Sequence, residues 1–245
     1  MIMKYMGSKA RIAKHILPIM LKNRVEGQWW VEPFVGGANM IDKVDGNRLG
    51  ADLNKPLIAC LNGLADGWLP PRNITEDFFN KVKADNSIVD AATLGYIGTQ
   101  LTYGSMWFSS YRRDNTGLRN YSNEAFRNVE KQAVNIKGVK FKSVSYHHLP
   151  IPDESIIYCD PPYKGTAKYN AVDEFDHNSF FEWCRGKVNQ GHQVFISEYN
   201  APDDFVCVWK KEITSSLGKD TGSKKGIEKL FVHKSQVESD YESLY

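Results

Sequence analysis

The stretch that most restricts the fold is the run Ile156-Ile157-Tyr158-Cys159, halted at Asp160-Pro161-Pro162-Tyr163. A short, uninterrupted apolar run is the pattern of a parallel strand buried on both faces. Two successive prolines fix φ and remove two backbone donors, so the strand ends there. An acid, a rigid pair and an aromatic are thus expected at the carboxyl end of a central strand, where open α/β sheets hold their ligands. Strand patterns at 29–31, 48–51, 139–144, 155–159, 192–197, 206–213 and 227–233 alternate with helical ones at 10–22, 56–64 and 176–189. That alternation predicts an α/β, doubly wound, Rossmann-like sheet.

The alternation breaks between about 70 and 135. Pro70-Pro71 punctuates the chain, Thr75-Glu76-Asp77 starts a helix, and helical character runs to about Tyr103. The segment 103–127 is turn-rich, aromatic and basic, without clear periodicity. Residues 1–69 and 136–245 are therefore expected to form one α/β domain, and 70–135 a small, mostly helical insertion.

Composition narrows the function. The 245 residues are 42% hydrophobic and 24% charged, which is globular composition. No run approaches the ~18 apolar residues of a membrane span. A net charge of +2 excludes a histone-like protein but not a nucleic-acid enzyme with a local basic face. Cys60, Cys159, Cys184 and Cys207 form no zinc-type spacing and are expected as free thiols in a reducing cytoplasm. His147-His148 is not expected to bind a metal, because neighbours on a strand point to opposite faces. The N-terminus lacks the apolar core of a secretory signal.

The glycine turn Val35-Gly36-Gly37-Ala38 fits neither a G-x-G-x-x-G fingerprint nor a phosphate loop, which disfavours nicotinamide cofactors and nucleotide triphosphate hydrolysis. Asp52 stands twenty residues after Glu32, where an acid binds ribose hydroxyls in nucleoside-binding folds. It also reads as a helix cap. S-adenosyl-L-methionine, with a ribose, a carboxylate and a sulfonium but no phosphate, matches an acid, a glycine turn and one lysine. At the other motif, Asp160 and the Pro161 carbonyl suit the two N–H bonds of an exocyclic amine, and Tyr163 suits stacking on a heterocycle, worth ~1–3 kcal/mol per base. The competing reading is a plain turn after a strand.

In this order, Tyr5-Met6-Gly7-Ser8-Lys9, Glu32-Pro33-Phe34-Val35-Gly36-Gly37-Ala38, Ala51-Asp52-Leu53-Asn54, Asp160-Pro161-Pro162-Tyr163, Phe195-Ile196-Ser197 and Glu228-Lys229-Leu230-Phe231 resemble the Dam-type, alpha-class DNA adenine-N6 methyltransferases, phage and prophage members included. The resemblance covers most of the chain. It implies a class I methyltransferase fold with S-adenosyl-L-methionine as cofactor. The cofactor residues it implies are Tyr5, Lys9, Glu32, Pro33, Phe34, Gly36, Gly37, Asp52, Tyr146 and Asp160. The catalytic residues it implies are Asp160, Pro161, Pro162 and Tyr163. Lys9 suits the methionyl carboxylate, or is a solvated lysine at a helix start. Ser145 departs from the acid that many relatives carry there.

The resemblance makes 70–135 the target-recognition region and double-stranded DNA the partner, with base flipping implied. Tyr111, Arg112, Arg113, Arg119 and Asn120 are the candidates for holding DNA, against a structural insert with a basic rim. The match to GATC-reading enzymes is poor here. Lys210, Lys211, Lys219, Lys224, Lys225 and Lys229 read as a loop between strands near phosphates, with Lys224 and Lys225 as DNA contacts, or as a solvated loop. Phe175 is a second wall for the base if its loop folds over. No metal and no membrane are expected, nor more than a monomer or weak dimer. A cytoplasmic, solitary or phage-borne methylase is expected, with a separate restriction partner left open. The alternatives are an RNA adenine methyltransferase and a silent nucleic-acid-binding protein on the same fold, with a dehydrogenase as a distant third.

Overall fold

The computed structural model describes residues 3–114, 116–163, 175–214 and 225–237. Seven strands form among them: β1 (Trp30–Glu32), β2 (Arg48–Asp52), β3 (Lys140–Ser143), β4 (Ile156–Cys159), β5 (Gln193–Ser197), β6 (Phe205–Thr214) and β7 (Lys225–His233). The α-helices are α1 (Ala13–Met20), α2 (Lys55–Ala65), α3 (Glu76–Ala84), α4 (Ala91–Gln100), α5 (Tyr121–Ile136) and α6 (His177–Asn189). The chain divides into two units, Met1–Lys14 with Trp30–Pro150, and His15–Trp29 with Ile151–Tyr245.

In the first unit the strand order is β3-β2-β1, all parallel, with Val31 opposite Leu49 and Gly50 opposite Phe141. Parallel strands are covered on both faces, and Trp30, Val31 and Glu32 are all buried. Asn54 caps α2 by accepting from the Leu57 N–H at 3.1 Å, and Pro56 sits in the first turn, where no donor is lost. Helix α4 crosses α2 at Gly95, where a Cβ would stand 2.0 Å from the Pro56 carbonyl oxygen. Leu57, Leu61, Leu64, Phe79 and Tyr96 are buried in this unit.

The stretch expected to be helical to about Tyr103 forms two helices, α3 and α4. Asp85 accepts from the Ser87 N–H and turns the chain, and Asp90 then caps α4 through the Thr93 N–H at 2.9 Å. Helix α5 starts inside the segment that showed no periodicity. Asn120 caps it, accepting from Asn123 at 2.8 Å. Its buried face combines Phe126 and Val129 with Ser122, Asn128 and Gln132.

In the second unit the order is β4-β5-β7-β6, with β4 and β5 parallel and β7 antiparallel to both β5 and β6. Asp176 caps α6 as expected, accepting from the Asn178 and Ser179 N–H groups. The architecture is α/β and Rossmann-like, the class the strand–helix alternation predicts.

One local expectation is corrected. His147 and His148 lie on a single turn of 3₁₀ helix, Tyr146–His148, and not on a strand, so the opposite-face argument does not apply to them. Among the described residues no group of three or more His, Cys, Asp or Glu is placed to hold a metal ion. None of the described helices is long and apolar enough to cross a membrane.

The Gly95 crossing yields a test. The clash of a new methyl group is with backbone, which no rotamer change relieves. Gly95→Ala should cost about 3 kcal/mol or more in urea denaturation. A loss near zero would mean that α2 and α4 do not pack this closely.

Candidate active site and nucleic-acid groove

The first unit gathers most of the residues singled out for a cofactor. The Tyr5 side chain lies against the glycine turn. A Cβ on Gly36 would stand 2.7 Å from its ring, and one on Gly37 2.6 Å from its Cβ. The glycines are therefore required here by the approach of Tyr5. Gly36 also adopts a positive φ of 46°.

Asp52, at the end of β2, binds the same turn. Its Oδ2 accepts from the Gly36 N–H at 3.2 Å and its Oδ1 from the Asn54 N–H at 2.9 Å. A carboxylate has about four acceptor positions, so capacity for hydroxyl donors remains. Glu32 is buried and accepts from Trp30 Nε1 at 2.7 Å, its partner two residues away on the same strand face. Pro33 beside it is buried. The Phe34 and Tyr146 rings meet at 5.2 Å and form an aromatic wall. Lys9 is only 7% exposed and donates from Nζ to the Gly7 carbonyl at 3.0 Å, which rules out the solvated-lysine reading.

Two side chains that the sequence did not single out hold this arrangement. Gln132, fully buried on α5, donates to the Gly37 and Ala38 carbonyls at 2.8 and 3.2 Å, and its Oε1 accepts from the Met3 N–H at 3.2 Å. Asn39 donates to the Met3 carbonyl at 3.1 Å and to Ser8 Oγ at 2.8 Å. A polar residue on a helix face gives no sequence signal of such a role.

The same unit contains a groove of about 610 Å³ lined by Ile74, Tyr111, Arg112, Arg113, Arg119 and Asn120, among others. All five residues expected to hold DNA in this segment are therefore together. Several are also tied down. Tyr111 donates its hydroxyl to the Ile74 carbonyl at 2.7 Å, and Asn120 Oδ1 caps α5. Arg113 grips the Glu76 carboxylate through Nε at 2.7 Å and through Nη2. Arg112 stacks on the Tyr121 ring at 3.8 Å and stands 3.9 Å from Glu124, which also takes the Lys4 ammonium. Arg119 is exposed, 6.0 Å from the centroid of the same ring.

In the second unit, Asp160 follows β4 half-exposed, Pro161 is buried, Pro162 is exposed and Tyr163 is half-buried. The Tyr163 hydroxyl donates to Glu228 Oε2 on β7 at 2.9 Å, and the Tyr199 ring meets Tyr163 edge-on at 4.6 Å. Burial raises the Tyr163 pKa well above 10, reinforced by the Asp160 and Glu228 charges, so the phenol keeps its proton. The Phe175 ring packs on His177 and Phe180. Of the expected basic loop, Lys210 and Lys211 lie on β6 and Lys229 on β7, while Lys219 and Lys224 fall outside the described residues. Lys225 is the first residue of β7.

The strand order and the helices between the strands make this an α/β protein of the Rossmann-like class, with Asp-Pro-Pro-Tyr directly after β4. Residues 5–217 match the family described as D12 class N6 adenine-specific DNA methyltransferase, and the chain belongs to that family. No curated protein matches it. Among solved structures, it is similar to SMU.472 complexed with SAH, at 14% identity and a TM-score of 0.38. That alignment covers 95% of this chain and 54% of the other, so the chain spans about half the length of that relative.

Two outcomes follow from the site. Burial raises the Asp52 carboxyl above its ordinary 3.8, outweighing the N–H groups of Asn54, Gly36 and Leu53. A carboxyl whose pKa rises on folding favours the folded state below its unfolded pKa, and that contribution is lost as pH climbs through the raised value. Relative to Asp52→Asn, the wild type should lose stability as pH rises above the ordinary carboxyl value of 3.8 in urea denaturation. A difference that is flat or grows with pH would refute the assignment. At the groove, Arg119→Ala should weaken DNA binding and reduce the log–log salt slope by about 1. An unchanged slope removes Arg119 from the phosphate contacts.

Proposed function

We propose that the protein is a site-specific DNA adenine-N6 methyltransferase of the Dam-type subclass, using S-adenosyl-L-methionine and acting on an adenine flipped out of double-stranded DNA. The observation that carries this reading is the Asp160-Pro161-Pro162-Tyr163 loop at the end of β4, with its tyrosine tethered, in a chain that belongs to the D12 class family.

The first unit fits the cofactor by its donor set. Asp52 suits the ribose hydroxyls, Lys9 the carboxylate, and the Phe34–Tyr146 wall the adenine. The glycine turn beside them is not a phosphate loop. When bound, S-adenosyl-L-methionine supplies an electrophilic methyl group on sulfur.

Everything else comes from the chain. Asp160 and the Pro161 carbonyl accept the two N–H bonds of the adenine amine, which turns its lone pair outward and stabilises the positive charge that develops on nitrogen. The two prolines contribute no N–H to compete for those acceptors. Tyr163 stacks on the flipped base and offsets part of the few kcal/mol that unstacking costs. Positioning and electrostatics supply the acceleration. The arginine-lined groove takes the DNA backbone. The 70–135 stretch, as the target-recognition insertion, sets the sequence. The protein acts as a monomer or weak dimer in the bacterial or phage-infected cytoplasm.

Incubation with labelled S-adenosyl-L-methionine and unmethylated genomic DNA, followed by single-molecule sequencing, should show N6-methyladenine at one short shared sequence. Asp160→Ala should lose at least about 10²-fold in rate while its melting curve is kept. Label in RNA but not DNA would move the substrate to RNA. Cofactor binding without transfer to either would make the chain a silent binding protein.

A further inference from the structure

Strand β7 carries an acid where packing alone would favour an apolar residue. Glu228 is 7% exposed, on the same strand as the fully buried Leu230. A buried carboxylate is costly unless it is hydrogen-bonded. The partner identified for Glu228 is the Tyr163 hydroxyl, 65 residues away in sequence.

Two contacts thus fix the aromatic ring of the catalytic loop. The Glu228 carboxylate holds its hydroxyl end, and the edge-on Tyr199 ring, at an interplanar angle of 84°, sets its plane. A phenol that donates to a carboxylate also gains electron density in its ring, which improves the attraction of the ring face for positive charge. In the proposed reaction positive charge develops on the amine of the base stacked against that face.

We propose that Glu228 is a positioning residue for methyl transfer. It locks the stacking plane of Tyr163 and polarises the ring toward the cationic transition state. The proposal rests on the methyltransferase reading above, and makes Glu228 a determinant of turnover, with no part in cofactor affinity.

The test compares wild type, Tyr163→Phe, Glu228→Gln, Glu228→Leu and the Tyr163→Phe/Glu228→Leu double variant. Each is checked for a cooperative melt, and kcat and the KM for S-adenosyl-L-methionine are measured on DNA. Tyrosine ring signals are followed by NMR on protein with labelled tyrosine. Glu228→Leu should lower kcat about tenfold or more, with the cofactor KM within about twofold. Glu228→Gln should fall between wild type and the leucine variant, because its amide oxygen still accepts from the phenol while the lost charge no longer polarises the ring. In the Tyr163→Phe background, Glu228→Leu should cost nothing further.

A full additional loss in that background would overturn the proposal, since Glu228 would then act by another route. So would a glutamine variant as slow as the leucine variant, or a folded leucine variant at wild-type rate. Should the wild type transfer no methyl group to DNA, the methyltransferase reading falls and takes the role in turnover with it. The Tyr163 ring signals, shifted in Glu228→Leu but not in Glu228→Gln, still decide separately whether Glu228 holds the ring.

Discussion

One buried amide sets the shape of the cofactor-type end of the first unit. Gln132 spans from α5 to two carbonyls of the glycine turn and to the N–H of Met3. Each of those backbone groups, left without a partner, would cost about 1–3 kcal/mol. With the turn and the N-terminal segment fixed to the same side chain, Tyr5 is delivered onto Gly36 and Gly37, and Ser8 onto Asn39. Lys9 follows one residue later. The helix that carries Gln132 lies in the 70–135 stretch, so this stretch buttresses the glycine turn as well as lining the groove.

Much of the architecture could be read from the sequence because its signals are local. Strand β4 announces itself by four apolar residues and two prolines, α6 by the Asp176 cap, and β2 by its ending in an acid before the Asn54 cap. The α/β class follows from those alternations alone. What was not legible depends on partners distant in the chain. Helix α5 buries Ser122 and Gln132, whose partners lie dozens of residues away, so their roles do not show in the sequence around them. The pairing of Tyr163 with Glu228 is set by the register of β7 against β5, which no spacing rule encodes. The five residues that line the groove could be listed from the sequence, but not the acids that engage Arg113 and Arg112, Glu76 and Glu124.

Asp52, proposed above to take the ribose hydroxyls, shows how binding and folding can want different things of one residue. Its place at the crevice between the glycine turn and α2 strips water from the carboxylate and disfavours its charge, which the backbone donors of Asn54, Gly36 and Leu53 only partly restore. An ionised acid kept short of solvation is poised to accept hydroxyl donors, because a ligand supplies what water no longer does. Fold stability is reduced at neutral pH by the same feature that prepares the site.

The arginines of the groove raise a different matter. Arg113 is clamped by Glu76, and Arg112 is sandwiched between an aromatic face and Glu124. A phosphate arriving there trades places with a carboxylate and finds the guanidinium already oriented, so little side-chain freedom is lost on contact. The internal acids act as resident competitors. A lone anion with one weak contact gains nothing from the exchange, whereas a polymer that engages several arginines at once displaces them together. On the proposed DNA-binding reading, a surface built this way would filter for ligand length before any base is read.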